Sequence, residues 1–513
     1  MTLQKVRISS ITLLIIIFLI SCVDRHEMAE HQHGVVSFEI SCNDTAQQEF
    51  ELGLAHLHHM MYSQAQPRFT AAAEADPDCA MAHWGIAMTS FQPLWAPTSD
   101  DDLVRGKESV QTALELGAPT DREQAFISNV ESFFTDPEPA ADNRSADHQK
   151  RLRNWMESSR ELHESLPENV EAAAFYALSE ISYAMTYFSP HIERNFDREL
   201  RAGALMEKFL EDYPEHPGLF HYLIHAYDSS HLAHKAEEVA RQYDQLAPNT
   251  PHALHMPSHI FVRLGHWKDT AEWNERSAEA ALQNPYNGLT SLHYPHALDY
   301  MMAAYLQLEE YEKAAETLER VRAIEAAQPH FASAYGIAAA QARYVMEQHK
   351  WEEAASLKPN YPEAVNWDSY LGASALFNYA RGIGASRSGN LDQAEAEHKK
   401  ISEAVQIMKD EGNVYWAYMT EALGNAVEAW ILYEQGETYN ALALISEAAD
   451  LEESMDKHPI SPGEVFPVRE LHAEMLYMEG QIEEARAAYK KSLERTPERK
   501  NALRGLEEAV AGL

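Results

Sequence analysis

The sequence has few basic residues. Lysine and arginine together number 41, against 80 aspartates and glutamates in 513 residues, and the formal net charge is -39. A surface this acidic repels phosphate backbones, so we predict that nucleic acid is not a partner. The charge instead suits cations, basic peptides or simple solubility.

Signals for β-strands and for common catalytic sites are also missing. Alternating runs of β-branched residues are few, whereas Ala, Glu and Leu are abundant, so we predict essentially no sheet. The sequence contains no His-Glu-x-x-His, no Gly-x-Ser-x-Gly and no phosphate-binding loop. These absences place binding ahead of catalysis as the expected function.

Cysteine is rare as well, and the first of the three, Cys22, closes an export signal. Two basic residues precede an apolar run from Ile8 to Ile20, which is too short to span a bilayer comfortably. The run ends in Leu19-Ile20-Ser21-Cys22, which resembles the lipobox of bacterial lipoproteins. We predict a signal peptide at 1–21 and acylation of Cys22; an ordinary signal peptide or anchor is the alternative.

The residue after the acylated cysteine bears on location. It is Val23 rather than aspartate, which resembles sorting to the outer membrane. We therefore expect a lipid-anchored protein of the cell envelope, on the outer membrane and facing the periplasm. Its expected partner is a protein or peptide of that compartment.

The rest of the chain shows self-similarity with a unit near 34 residues. The first clear copy contains Gly53, Ala65, Phe69, Ala72 and Pro77, and the last contains Ala473, Gly480, Ala485, Tyr489, Ser492 and Pro497. Small residues at these places let two antiparallel helices approach closely, an aromatic fills the space between units, and proline ends the second helix. This is the tetratricopeptide-repeat (TPR) pattern, so we predict an all-α solenoid of stacked antiparallel helix pairs.

Composition divides the chain around these repeats. We predict a polar tether at 22–36, an amino-terminal TPR-like helical block at 37–135 and a loop at 136–147. The main solenoid follows at 148–513, with a histidine-rich groove at 216–300.

The other two cysteines flank the first repeat. Cys42 comes directly before its first helix and Cys79 directly after its second, so an antiparallel hairpin brings both to the same end. Because an exported protein meets an oxidising compartment, we predict a disulfide between them. Two buried thiols are the alternative.

Three further segments resemble a family of bacterial TPR lipoproteins of largely unassigned function. They are Asp76-Pro-Asp-Cys-Ala-Met-Ala-His-Trp-Gly-Ile-Ala-Met88, Pro251-His-Ala-Leu-His-Met-Pro-Ser-His-Ile-Phe261 with Leu264-Gly-His-Trp267, and Tyr379-Ala-Arg-Gly-Ile-Gly384. The resemblance implies the TPR fold and carries no activity with it.

Histidines crowd into the predicted groove, and the repeat register decides which of them share a face. Three adjacent first helices carry His221, His225 and Asp228; His252, His255 and His259; and His296 and Asp299. Spacings of three and four residues put each group on one face of its helix. In TPR solenoids this face lines the concave groove, so we predict that the three groups project into one hollow.

Imidazole with an added carboxylate is a ligand set for zinc, copper or nickel. We predict four metal ligands, His225, His255, His259 and His296, and four further groove residues that contact the metal ligands or a bound molecule, His221, Asp228, His252 and Asp299. The alternative is that these side chains are hydrogen-bonded core or peptide-contacting residues. Pro257 either kinks its helix or starts it, which would leave His252 and His255 on the preceding loop.

The predicted function is therefore that of an exported TPR binding or scaffold protein whose groove binds a divalent metal or a small or peptide ligand. A metal-dependent hydrolase, with Asp228 or Asp299 as ligand or base, is the alternative. A pure assembly scaffold would use the groove as a peptide cradle and needs no metal.

The predicted lipid anchor has a direct test. We expect Cys22→Ser to move the protein from the membrane to the soluble fraction, because the substitution removes the acylation site. Fractionation with immunoblotting measures the change, and mass spectrometry of the wild-type amino terminus is the control. An unmodified mature protein that begins elsewhere would contradict the prediction.

Overall fold

The computed structural model describes residues 33–95, 97–138, 143–186, 190 and 195–511. The predicted signal peptide, Cys22 and most of the tether lie outside the described residues. Within these ranges the chain forms helices and two isolated β-bridges but no strand, so the predicted all-α fold is confirmed. No helix of the described part is long and apolar enough to cross a bilayer.

The helices follow one another in pairs along the chain. In order they are α1 (Asp44–His58), α2 (Tyr62–Ala75), α3 (Ala80–Thr89), α4 (Asp100–Leu116), α5 (Asp121–Phe134), α6 (Arg144–Ser165), α7 (Val170–Met185), α8 (Asp197–Leu210), α9 (Pro217–Tyr227), α10 (Glu237–Ala240), α11 (Tyr243–Leu246), α12 (Pro251–His255), α13 (Pro257–Leu264), α14 (Trp267–Gln283), α15 (His293–Gln307), α16 (Tyr311–Arg322), α17 (Phe331–Met346), α18 (Trp351–Ala355), α19 (Leu371–Arg387), α20 (Leu391–Asp410), α21 (Val414–Glu434), α22 (Thr438–Glu453), α23 (Val468–Met478), α24 (Ile482–Arg495) and α25 (Lys500–Ala511). Short 3-10 turns occur at Ala233–Lys235 and Trp367–Ser369. The predicted solenoid of stacked helix pairs is confirmed.

Local sequence signals start several of these helices. Asn43 caps α1 by accepting hydrogen bonds from the backbone N–H groups of Thr45 and Ala46. Ser99, Thr120, Asn143 and Asn169 cap later helices in the same way. A cap of this kind satisfies backbone N–H groups that the first turn leaves without an intrahelical partner.

A left-handed residue makes the turn inside each later helix pair. These residues are Gly265, Glu309, His349, Gly389, Gly436 and Gly480, with φ from 54° to 85°, and each lies two residues before the next helix. Successive turns are 40 to 47 residues apart. The units are thus longer than the predicted 34 residues, because long connections such as 284–292 and 454–467 separate one pair from the next.

The predicted packing of small against aromatic residues is present in the first repeat. Phe69 of α2 is fully buried and lies against Gly53 of α1 and Gly85 of α3. A Cβ at Gly85 would lie 2.2 Å from the Phe69 ring, so only glycine allows this approach. One aromatic side chain therefore joins a helix pair to the next pair.

The solenoid coils until its carboxyl-terminal helices touch its middle units. The Trp267 Nε1–H donates to the backbone oxygen of Glu498 at 3.0 Å. Arg499 Nη2 donates to Glu347 Oε1 at 2.7 Å. These contacts join residues more than 150 positions apart and hold the superhelix closed around its inner face.

The connection between α22 and α23 fills part of that inner face. We call residues 454–467 the groove segment. Its residues contact the helical units in chain order. Lys457 forms an ion pair with Asp228. Backbone oxygens further along accept hydrogen bonds from three side chains: those of Pro459 and Ser461 from Tyr300, those of Gly463 and Glu464 from Arg343, and that of Phe466 from Tyr379. The predicted ligand groove is thus partly filled by an irregular stretch of the chain itself, which contains turns and bends.

The predicted loop at 136–147 joins α5 to α6. Residues 136–138 and 143–147 of it lie within the described ranges, and 144–147 already belong to α6, so the predicted loop extends too far at its carboxyl end. The two helices pack together, and Trp155 Nε1–H donates to Asn129 Oδ1 at 3.1 Å.

A disulfide joins Cys42 to Cys79, with their Cα atoms 5.3 Å apart. Cys42 precedes the Asn43 cap of α1, and Cys79 directly precedes α3. The bond closes a sequence separation of 37 residues around the first helix pair.

Reduction of this bond should destabilise the protein. In the chain-entropy description, a loop of this length contributes about 3 to 4 kcal/mol, because the crosslink restricts the unfolded chain. Urea unfolding of the oxidised protein, the reduced protein and the Cys42→Ala/Cys79→Ala variant measures the effect. The reduced protein and the variant should share a lower midpoint; an unchanged midpoint after reduction would contradict the prediction.

Candidate metal centre

Six histidines from four helices of three adjacent units form one continuous group, which we call the histidine cluster. They are His221 and His225 on α9, His252 and His255 on α12, His259 on α13 and His296 on α15. Neighbouring rings have centroids 4.2 to 6.0 Å apart. All are buried except His225, which is partly exposed. The structure thus brings together all six histidines that the register singled out.

The cluster separates into two sets of three by the positions of the ring nitrogens. His255, His259 and His296 each offer a nitrogen within 4.8 Å of the others, and so do His221, His225 and His252. We call these the first set and the second set. Three of the four predicted metal ligands lie in the first set, while His225 lies in the second.

Helical geometry continues across the break at Pro257 and keeps His255 and His259 on one face. α12 ends at His255 and α13 begins at Pro257, but Met256 between them has helical dihedrals, φ -52° and ψ -40°. His252 and His255 therefore lie on a short helix rather than on a loop. Because helical geometry continues through Met256, His255 and His259 remain one turn apart on the same side.

The proton of the His255 ring is held on its outer nitrogen. His255 Nδ1 lies 2.7 Å from Asn274 Oδ1, and Asn274 Nδ2 donates to the Thr270 backbone oxygen at 2.8 Å. The second bond fixes the amide so that its oxygen faces the imidazole. Neutral His255 therefore carries its N–H on Nδ1 and presents the lone pair of Nε2 to the cluster.

His259 is oriented in the same sense by a carboxylate. Its Nδ1–H donates to Asp228 Oδ2 at 2.9 Å. Asp228 also accepts from Arg263 Nε at 2.9 Å and pairs with Lys457 Nζ at 3.1 Å. These two cations hold the pKa of the buried Asp228 carboxyl well below its usual range, although burial opposes them. The lone pair of His259 Nε2 thus also points inward.

The two inward nitrogens face each other. His255 Nε2 and His259 Nε2 are 2.9 Å apart. Two lone pairs at this distance repel unless a cation lies between or beside them. His296 adds a third ring 4.2 Å from His255, and its Nδ1 has no hydrogen-bond partner among the described residues. An imidazole whose outer N–H is held by a carboxylate or amide is the usual arrangement of a metal-ligating histidine.

Burial keeps these rings neutral. It lowers the pKa of His255 and His296 well below the ordinary value. Burial also lowers the pKa of His259, with the hydrogen bond to Asp228 acting in the opposite direction. Neutral imidazole is the form that binds a metal ion.

The two predicted carboxylates have different surroundings. Asp228 supports His259, whereas Asp299 Oδ1 accepts from Arg343 Nε at 2.9 Å. Burial raises the pKa of Asp299 even though Arg343 acts to lower it. Asp299 is thus paired with an arginine rather than with the histidines.

A third group of potential ligands has a different character. Glu171 accepts from His58 Nε2 at 2.8 Å and from His216 Nε2 at 3.0 Å. The remaining nitrogens accept in turn: His58 Nδ1 from the Tyr222 hydroxyl, and His216 Nδ1 from the Leu219 N–H. Since every ring nitrogen is paired, this group is a structural network that does not call for a metal.

Several residues of the site were not found from the sequence. Asn274 lies on a second helix, outside the groove register, and Tyr300 packs directly against the three rings of the first set. Lys457 reaches Asp228 from the groove segment. Burial lowers the pKa of Lys457 to about 8. The proline- and glycine-containing stretch at 459–467 was the available signal, because such a stretch marks an irregular connection.

Comparisons with known proteins give structural neighbours alone. No protein-family model and no curated protein sequence matches the chain. Among solved structures, yeast Tom70 is 14% identical, with a TM-score of 0.37, over 91% of this chain and 95% of that one. The TPR domain of P58(IPK) is 12% identical over 91% and 97%, with a TM-score of 0.23. Human IFIT1, solved as a dimer with m7Gppp-AAAA, is 13% identical over 94% and 98%, with a TM-score of 0.39. At these identities the likeness is one of fold alone.

The buried neutral rings predict acid sensitivity of the metal-free protein. Burial lowers the pKa of His221 and of His293 to about 3, whereas an unfolded histidine titrates near 6.5. Below about pH 6.5 the unfolded chain takes up protons that the folded chain does not, so stability falls as the pH falls. Each such ring costs about 1.4 kcal/mol per pH unit in this range.

Urea unfolding in EDTA at pH 7.5, 6.5 and 5.5 measures this loss. A His293→Asn variant, which removes one titrating ring, should show a slope shallower by about one proton. Equal free energies of unfolding at pH 7.5 and 5.5 would contradict the prediction.

Proposed function

We propose that this protein is an exported helical-repeat binding protein whose first set, His255, His259 and His296, holds a divalent transition metal. Zinc, copper and nickel are the candidates, because imidazole nitrogen suits all three. The observation that carries the proposal is the pair of inward Nε2 atoms 2.9 Å apart, each fixed by a hydrogen bond on the outer side of its ring.

The donor set supports ligand binding at the metal. Three imidazoles leave a tetrahedral ion one open position, which an anionic small molecule or a peptide group can fill. Tyr300 packs against all three rings, with centroid distances of 4.5 to 5.7 Å, and its hydroxyl holds the groove segment through Pro459 and Ser461. Movement of the groove segment would therefore control access to the ion.

The proposal includes location and partner. The basic start, the short apolar run and Leu19-Ile20-Ser21-Cys22 support export and a lipid anchor on the periplasmic side of the outer membrane. The proposed partner is a protein or peptide of the cell envelope. The groove segment supports this part, since the inner face of this solenoid already accepts a non-helical segment through its backbone oxygens.

Binding is favoured over the hydrolase alternative by the state of the two carboxylates. Asp228 accepts from Arg263, Lys457 and His259, and Asp299 is paired with Arg343. Asp228 is thus fully occupied, whereas Asp299 is held through Oδ1 and its buried Oδ2 has no hydrogen-bond partner among the described residues. A general base must reach a metal-bound water, and neither carboxyl belongs to the group of close ligand atoms formed by His255, His259 and His296. The imidazoles thus fit a binding site better than a hydrolytic one.

The metal site is tested by calorimetry at neutral pH. Zinc should bind the untagged wild-type protein, and His255→Ala/His259→Ala should abolish binding with little change in the helical circular dichroism. The matched control is His266→Ala/His398→Ala, which removes two histidines outside the cluster and should leave affinity unchanged. Absence of zinc, copper and nickel binding in the wild type would force a return to the scaffold hypothesis.

Asn274 offers a separate test of the orientation. Asn274→Leu removes the acceptor that holds the His255 proton but leaves all three ligands in place. We expect metal affinity to fall about 10- to 100-fold, the usual cost of losing a partner behind a ligand. Unchanged affinity would show that the outer hydrogen bond does not orient the ring.

A further inference from the structure

The second set has the same kind of inward-facing nitrogens as the first. His221 Nδ1–H donates to the backbone oxygen of His58 at 2.6 Å, which leaves the lone pair on Nε2. That Nε2 is buried and, like Nε2 of His225, has no hydrogen-bond partner in the described part of the chain. The ligand nitrogens of His221, His225 and His252 lie within 4.8 Å of one another.

His252 is the least satisfied ring of the cluster. Its side chain is 3% exposed, and neither Nδ1 nor Nε2 finds a hydrogen-bond partner among the residues described. Leaving a buried polar group unpaired costs about 1 to 3 kcal/mol, so such groups in a folded protein call for an explanation. A cation bound by one ring nitrogen each of His252, His221 and His225 would explain why these nitrogens have no hydrogen-bond partner.

The network of His58, Glu171 and His216 shows that close packing alone does not make such a set. Those groups also lie within 4.8 Å of one another, yet each ring nitrogen there has a hydrogen-bond partner. The second set differs because its nitrogens converge without partners. Ring nitrogens that converge without hydrogen-bond partners therefore distinguish a ligand site from a polar core.

The two sets are neighbours. The His225 ring is 5.6 Å from the His259 ring, and the His252 ring is 6.0 Å from the His255 ring. Ions held by the two sets would thus occupy neighbouring positions.

The charge of the two ions, and of the groups around them, determines which ions can occupy both sets at once. Each set consists of three neutral imidazoles and contains no carboxylate. The nearby Asp228 charge is already balanced by Arg263 and Lys457. Repulsion between two ions scales with the product of their charges, so two dications repel about four times as strongly as two monovalent ions. Two copper(I) ions carry the same total charge as one divalent ion.

We propose that His221, His225 and His252 form a second metal position beside the first and that the two positions together take a pair of copper(I) ions. The proposal rests on the proposed function for the position of the first ion, and it replaces the divalent ion there by copper(I). Copper binds imidazole and, unlike zinc or nickel in proteins, is commonly monovalent.

The test is the copper stoichiometry of the untagged full-length chain. Protein is loaded with copper(I) under anaerobic, reducing conditions and titrated against bathocuproine disulfonate. We expect two ions per chain in the wild type and one in His221→Asn/His252→Asn. His293→Asn is the matched control: its ring is 5.3 Å from that of His252 but belongs to neither set, so this variant should retain two ions.

The outcomes separate the two proposals. One ion in the wild type, lost in His255→Asn/His259→Asn and retained in His221→Asn/His252→Asn, overturns the second position and leaves the proposed function intact. One ion with the reverse pattern overturns the first position. Two zinc ions bound as tightly as two copper(I) ions overturn the choice of metal. X-ray absorption of the loaded wild type needs no folded variant: at two coppers per chain, an average of about three nitrogen neighbours per copper supports the pair, and an average of about two overturns it.

Discussion

The placement of two ring protons is the constraint on which the rest of this site depends. Asn274 holds the proton of His255, and Asp228 holds that of His259, so both free nitrogens point at each other from 2.9 Å. If either proton moved to the inner nitrogen, the pair would be an ordinary hydrogen bond and nothing would call for a metal. Three features maintain this orientation: the helical geometry that continues through Met256, the amide of Asn274 and the ion pairs of Asp228.

Holding Asp228 in place requires a buried charge network. Arg263 donates to Asp228 and to Asp456 at 2.6 Å, and Lys457 completes two cations against two anions. Desolvating such charges costs several kcal/mol per ion, and removal of one partner from a buried pair costs about 3 to 5 kcal/mol. Because Asp456 and Lys457 belong to the groove segment, the orientation of His259 is coupled to closure of the inner face.

The sequence predicted the fold and the histidine face because both follow from short-range periodicity. Spacings of three and four residues were enough to place His221, His225, His252, His255, His259 and His296 on first helices. The length of the repeat unit could not be predicted from this periodicity, because it depends on irregular connections between the helix pairs. Lys457 lies 229 residues from Asp228, and no local pattern announces a contact at that separation. The pairing of Asp299 with Arg343 could not be predicted either, because α17 contributes no residue to the predicted histidine face.

We propose that the histidine cluster holds a transition metal on ring nitrogens whose orientation is fixed by hydrogen bonds to the opposite nitrogen of each ring. Anomalous diffraction at a metal absorption edge, from crystals of the metal-loaded protein, tests it most directly. We expect a peak enclosed by His255, His259 and His296, with the hydrogen bonds to Asn274 and Asp228 kept. A loaded crystal with its metal elsewhere, and with His255 and His259 still 2.9 Å apart without an ion, would contradict it.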